Sequence, residues 1–529
     1  MHYFINSLIL INKNNKYEVN KLRYIGPFFR MNSLSQNDIS GQLFHLSKEA
    51  IKTIVLNSKC GITTSFRSSK KSSNNDISIL NNFSPLICLY RKSSPVFIHN
   101  KTSHGFDEDT FKKDIIPATN ALMTLSILEL SNYYSNYNKG SRRSDSLENA
   151  YKHLAKEQLS FYYENLRNSE GVFVEKKNLS EGNSKGYNLI DKDKKFNFSD
   201  QAFMMNAYYL YSLYNPDDPI SDDYRNFSLQ ILEMFDDFKD ALYNLSFEEG
   251  CKILLAFNVF YKFSNEEKCK NLIIDLSDFL TNKFDEKDYY VSALDSCSLF
   301  AIALNDSYKN TNIISFNEKS EEILYKLEGL YDSEKGIFLK LTDKKEVKYS
   351  SFEICFYFLA ILLHSRSSDN QLEHKNMISN LYRKYFINSN LILSWPEAPT
   401  LDETERYRGL SLKSADMLDE SFFRMPNLPT PESSGMAPIF TKSITYSKKK
   451  NSFSRSKDTF DSSKNMLIFF VLIHYLNDDV INEMNFKDDI NLSPIREEEP
   501  ITVTEDILDS DKDDIIEEIP DETKGAVSD

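Results

Sequence analysis

The chain reads as a mainly α-helical protein, an array of six helical hairpins, on three observations. Segments hydrophobic on all sides alternate with segments that keep one polar face. A Ser, an acid three residues later and a Cys five later recur in SFEEGC (246–251), SALDSC (292–297) and SSFEIC (350–355), each opening an apolar run. Successive starts step by 47 residues from Ser199 to Ser246 and by 46 to Ser292, a period that belongs to stacked helix pairs. At 529 residues, 41% of them hydrophobic, the chain can bury a sizeable core.

Residues 1–105 mix strand-like YFINSLILI, SPLICLYRK and PVFIH with one amphipathic helix around QLFHLSKEAIKTIVL (42–56), which predicts a small α/β N-terminal region. The opening MHYFINSLILINK lacks a basic start and a small-residue cleavage site, so it reads as a strand and not as a signal peptide. Residues 106–492 then carry the hairpins. Their buried members are IIPATNALMTLSILEL (115–130), FSDQAFMMNAYYLYSLY (198–214), the runs after the three Ser–acid–Cys motifs, and DTFDSSKNMLIFFVLIHYL (458–476). Their amphipathic partners start at 146, 221, 265, 316 and 373, with DVINEMNF (479–486) as a weak twelfth helix. The longest apolar run, MLIFFVLIHYL, is about half of what spans a bilayer, so no membrane segment is expected.

The net charge of −15 is concentrated at the end of the chain, where Glu497 to Asp529 holds 14 acidic residues against Lys512 and Lys524. Residues 493–529 therefore read as a disordered acidic tail, with an acidic-hydrophobic attachment for a protein partner as the sharper reading. Neither the tail nor the near-neutral body suits nucleic acid. Six widely spaced cysteines with no CxxC pair read as free thiols in a reducing compartment, which places the chain in the cytoplasm.

Six hairpins with buried first and exposed second helices resemble the (α/α)6 toroid of six-hairpin glycosidase-like proteins, over roughly residues 110–490. The helix endings LRNSEGVF (166–173) and LYDSEKGIF (330–338), each an Asp or Asn followed by Gly and then Phe, add to the resemblance. It implies six inner helices around a cavity, with catalytic loops on the face where the long connections 169–197 and 388–457 emerge. An open superhelix of helix pairs is the structural competitor.

Ser at a helix N-cap with Glu or Asp three residues on is the capping box, in which hydroxyl and carboxylate each accept from an unpaired backbone amide. Ser246/Glu249, Ser292/Asp295 and Ser350/Glu353 fit, and Asp458/Asp461 is a looser version. In the resembled toroids, acids at inner-helix starts line the cavity. The resemblance thus makes Asp200, Glu249, Asp295, Glu353 and Asp461 the catalytic candidates, two of which would do acid/base chemistry as in a glycosidase. Trp395 and Glu397, in LSWPEAP on the second long loop, are ligand-binding candidates. No cofactor and no metal is implied: Cys251, Cys297 and Cys355 lack the close spacing or nearby His of a thiolate site. DDFKD (236–240) reads as a solvated helix face, and DKDKKFNFSDQA (191–202) lacks the third ligand, Gly and final Glu of a calcium loop. His364 and His474 fall near the ends of inner helices, where compensating the helix dipole is the default role. The basic run 447–457 reads as a solvated loop. The expectation is a cytoplasmic toroid that binds or processes a carbohydrate-like ligand through carboxylates, against a non-catalytic helical scaffold with an acidic attachment.

Overall fold

The structure is a computed structural model that describes residues 36–65, 77–100, 103–137, 142–180, 186–192, 196–367, 371–396, 436–455 and 458–491. The N-terminal strand YFINSLILI and the acidic tail lie outside the described residues. The helices are α1 (Gln36–Asn57), α2 (Pro117–Tyr137), α3 (Arg142–Asn165), α4 (Phe198–Tyr214), α5 (Ser221–Asp237), α6 (Phe247–Ser264), α7 (Glu267–Asp285), α8 (Leu294–Thr311), α9 (Ile314–Glu328), α10 (Ser351–Ser367), α11 (Gln371–Leu381) and α12 (Ser462–Asn491).

Hydrophobic patterning separates two kinds of helix. In α4 every residue from Ser199 to Ser212 is buried. Its partner α5 buries Ser221, Tyr224, Ser228, Ile231, Leu232 and Phe235, the three-and-four spacing of one stripe. Each of the more deeply buried helices packs on the next, α2 on α4, α4 on α6, α6 on α8 and α8 on α10, and each also packs on the amphipathic helix that follows it. Helix α12 touches α2 where Thr119 Oγ1 meets Ser463 Oγ at 3.1 Å and where Glu129 meets His474 at 2.9 Å. It touches α10 where Lys464 stands 4.6 Å over the Phe352 ring. Two of the more buried helices end on Asn in the left-handed region, Asn265 (φ 53°) after α6 and Asn312 (φ 60°) after α8, where a short amide tolerates that conformation.

The segment DVINEMNF is not a separate helix; it continues α12. The helix that packs on α2 and α11 is instead α1, whose Gln42 also accepts from Tyr382 Oη, one residue past α11, at 2.7 Å. Around α1 the N-terminal region is a small mixed α/β element of short antiparallel pairs, β1 (Gly61–Thr63) with β2 (Leu86–Leu89) and β4 (Phe97–Asn100) with β5 (Ser103–Phe106). Its β3 (Lys92–Ser93) pairs with the short strand Phe460–Asp461, directly before α12.

The turns after α3 and α9 are built as their Gly residues require. Gly171 (φ 87°) and Gly336 (φ 65°) occupy a region hostile to a Cβ, while Asn168 and Asp332 accept from amides in the turn. Phe173 and Phe338 then plunge into the core. The basic run 447–457 is a correction to the sequence reading. Part of it forms a hairpin, β7 (Ser443–Ser447) with β8 (Ser452–Arg455), added to β6 (Glu346–Ser350). The Tyr446–Phe453 ring contact at 5.0 Å outweighs the charge of the turn residues. All six cysteines are buried and free. Burial pushes the Cys60 and Cys297 thiols up to about 12, so they behave as small apolar groups. Among the described residues no helix is long and apolar enough to cross a membrane.

Candidate active site

The predicted carboxylates divide by what their oxygens face. Asp200 does not cap its own helix; its Oδ1 accepts from the Ala118 amide of α2 at 2.7 Å and its Oδ2 from Asn197 at 3.2 Å. Glu249 behaves likewise one helix further on, its Oε1 accepting from the Ser199 amide of α4 at 2.9 Å. Acids in the first turns of α4 and α6 thus cap α2 and α4 respectively, satisfying amides that would otherwise be unpaired. The Ser246/Glu249 box is half formed, with Ser246 Oγ accepting from the Glu249 amide at 3.2 Å. Ser350/Glu353 forms both halves, at 2.6 and 3.1 Å, and Glu353 also pairs with Lys340.

Two boxes read from the sequence are corrected. Ser292 closes a separate helical turn, Tyr289–Ser292, and α8 starts at Leu294 with no side-chain cap, because the chain bends at Ala293. Asp461 lies in the short strand Phe460–Asp461 before α12 and pairs with Lys92 at 3.6 Å, while Asp458 pairs with Arg455 at 3.1 Å. Trp395 is 4% exposed and packs in the core, where it offers no open platform for a ligand. Glu397 lies outside the described residues.

A cavity of 440 Å³ opens where α6 and α8 begin. Ser246, Phe247 and Glu248 come from the start of α6, Lys283 and Lys287 from the end of α7, and Tyr289, Ser292, Asp295 and Ser296 from the bend and start of α8. Phe247 and Tyr289 stack at 4.1 Å, giving the wall an aromatic patch between hydroxyls and charges. Among the described residues none from 388–457 lines it.

Its two carboxyl groups are driven in opposite directions. Burial, then the charge of Glu353, raises the Asp295 pKa above the usual carboxylate range, against a 3.0 Å bond from the Ser296 amide. Lys252, whose ammonium donates to Glu248 at 2.7 Å, holds Glu248 below that range. Lys464, in the first turn of α12, completes the field. Burial lowers its ammonium pKa, opposed by Asp295, Asp461 and Glu353.

Glu248 and Lys464 were not singled out by the sequence reading. The acid in frame with the repeat was Glu249, but adjacent helix residues point about 100° apart. Glu249 faces α4, and Glu248 faces the cavity. For Lys464 a signal was present, since a cation in a first helical turn opposes the helix dipole and so marks a local conflict.

The two histidines singled out in the sequence each lie against carboxylates. His474 is buried against Glu129, and His364 approaches Glu328 at 3.6 Å and Glu321 at 3.8 Å.

No family model and no curated protein matches the chain. Solved structures similar to it include a D-mannose isomerase, at 8% identity and a TM-score of 0.48 over 86% of this chain and 100% of that one. A GH76 α-mannanase from Bacteroides thetaiotaomicron matches at 10% identity and 0.40, over 85% and 97%. A cellobiose 2-epimerase from Bacillus thermoamylovorans matches at 13% and 0.42, over 65% and 88%. At these identities and TM-scores no individual family is indicated.

Proposed function

We propose that the chain is an (α/α)6 toroid that binds a carbohydrate-like ligand at the N-terminal ends of its inner helices and processes it by carboxylate acid/base chemistry. In this reading α2, α4, α6, α8, α10 and α12 form the inner ring, and α3, α5, α7, α9, α11 and α1 surround it. The double contact of α12 with α2 and α10 supports closure, as does the packing of α1 on α2 and α11.

One observation carries the chemistry: Glu248 and Asp295 share a cavity, and their surroundings push their proton affinities apart. A carboxylic acid beside a carboxylate is the pairing that acid/base catalysis on glycosides requires. Tyr289, half-buried and backed by the buried Phe247, offers a face for a sugar ring, and Ser246, Ser292 and Ser296 offer hydroxyl partners. Asp295 is the acid in this reading, Glu248 the charged partner, and Asp200, Glu249, Glu353 and Asp461 support the rim. Asp295→Asn and Glu248→Gln are each expected to lower turnover of aryl glycosides or epimerisation of free sugars at least ~100-fold. Ligand binding, followed by saturation-transfer NMR over a sugar panel, should survive Asp295→Asn. A panel with no binder, or variants as active as the parent, removes the proposal.

The second reading is a non-catalytic scaffold. It is favoured by the engagement of Asp200 and Glu249 with backbone amides and of Glu353 and Asp461 with lysines. There the acidic segment 497–529 attaches a protein partner in the cytoplasm. Pull-downs with and without that segment test the attachment, and equal recovery of partners from both forms excludes it.

A further inference from the structure

Away from the cavity, three side chains from three helices converge. Glu328 is the last residue of α9, His364 lies in the last turn of α10, and His374 lies in the first half of α11. One ligand atom from each falls within 4.8 Å of the other two. His374 Nε2 is 2.7 Å from Glu328 Oε1, and His364 Nε2 is 3.6 Å from the same oxygen. The imidazole rings stand edge to face, with centroids 5.7 Å apart. All three side chains are half-buried or deeper, at 25%, 14% and 11% exposure for Glu328, His364 and His374. None lines the cavity of the candidate active site.

We propose that Glu328, His364 and His374 form a binding site for a divalent transition metal of the zinc type, clipping α9, α10 and α11 together. Two imidazoles and one carboxylate form a donor set that suits Zn²⁺, with the fourth position left to water. Ligand atoms about 2.0–2.1 Å from a tetrahedral ion stand roughly 3.3 Å apart. The two distances to Glu328 Oε1 bracket that value, and the ligand atoms of the two imidazoles lie within 4.8 Å of each other, so the donors need to close only on the order of an ångström to share one ion. Glu321, two turns before Glu328 on α9, lies 3.8 Å from His364 Nδ1. It is placed to orient that ring while Nε2 binds the ion, the carboxylate–histidine–metal arrangement that fixes tautomer and direction. The sequence conceals this site because its residues lie 36 and 10 positions apart, with no short-spaced His pair.

The test uses the full chain without a histidine tag, stripped with chelator and titrated with ZnCl₂ in a calorimeter, with bound metal counted by mass spectrometry. One Zn²⁺ per chain is expected, and at a free concentration of 100 Kd it should raise the folded-to-unfolded ratio about 100-fold. Glu328→Gln and His374→Ala should each weaken binding at least ~10-fold. His153→Ala, on α3, should leave it unchanged. Substoichiometric uptake, or uptake indifferent to Glu328→Gln and His374→Ala, overturns the proposal. Co²⁺ spectra of the unmutated chain give an independent reading. Ligand-field bands without thiolate charge transfer are expected, whereas a thiolate band would put the ion on cysteine and reject the site.

Discussion

Replacing Phe338 by Ala is expected to lower the folding free energy by about 3–5 kcal/mol. The ring is 1% exposed and stacks on Tyr357 at 4.1 Å and on Tyr385 at 4.8 Å, with Tyr349 edge-on at 5.1 Å. The same residue's carbonyl accepts from Tyr349 Oη at 2.9 Å and from Tyr385 Oη at 2.8 Å. Those bonds hold two of the three surrounding rings in place, so the site collapses poorly and most of the void remains. Aromatic contacts add a further loss beyond buried area. Tyr385→Phe keeps the packing and removes one hydrogen bond, for about 1 kcal/mol. Phe238→Ala, at a ring 61% exposed, should change stability by less than about 0.5 kcal/mol. Urea unfolding of the three variants orders them. A loss below about 1 kcal/mol for Phe338→Ala would show that the aromatic cluster repacks.

Asp200→Asn is expected to remove a pH dependence worth up to about 4 kcal/mol. Burial raises the Asp200 pKa to about 7, with the Glu249 and Glu175 charges adding to it and the bonds from Ala118 and Asn197 opposing it. The unfolded chain titrates near the ordinary value of about 4. Between those values the folded state holds a proton that the unfolded state has lost, so stability declines as pH rises through the interval. It is constant again above about 7, where both states are ionised. Roughly three units at 1.36 kcal/mol each give the stated ceiling. Asparagine keeps a carbonyl to accept from Ala118, and the Asn197 amide can turn over to meet its new donor. The variant and the parent should therefore match near pH 4 and separate as pH rises, with the variant the more stable at neutrality. Parallel stability profiles from pH 4 to 8 would show that Asp200 is ionised throughout and that the Ala118 amide and Asn197 hold its charge.

The buried or solvated character of each helix was legible in the sequence because it depends on residues of that helix alone. An unbroken buried run from Ser199 to Ser212 and the three-and-four stripe of α5 are written in consecutive letters. So are the turns at Gly171 and Gly336, where a local backbone conformation demands the residue. The tertiary structure decided what depends on distant partners. Whether an acid caps its own helix, as Glu353 does, or its neighbour's, as Glu249 does, is settled by which backbone amide lies within 3 Å. The partner of α2 and α11 is a helix from the start of the chain, because packing selects an apolar face by its position in space and not by its order in sequence. The pairing of Glu248 with Asp295 in one cavity and the meeting of Glu328, His364 and His374 have the same origin. Coulombic and coordination forces act over a few ångströms, and only the folded chain brings residues 10 to 47 positions apart to that range.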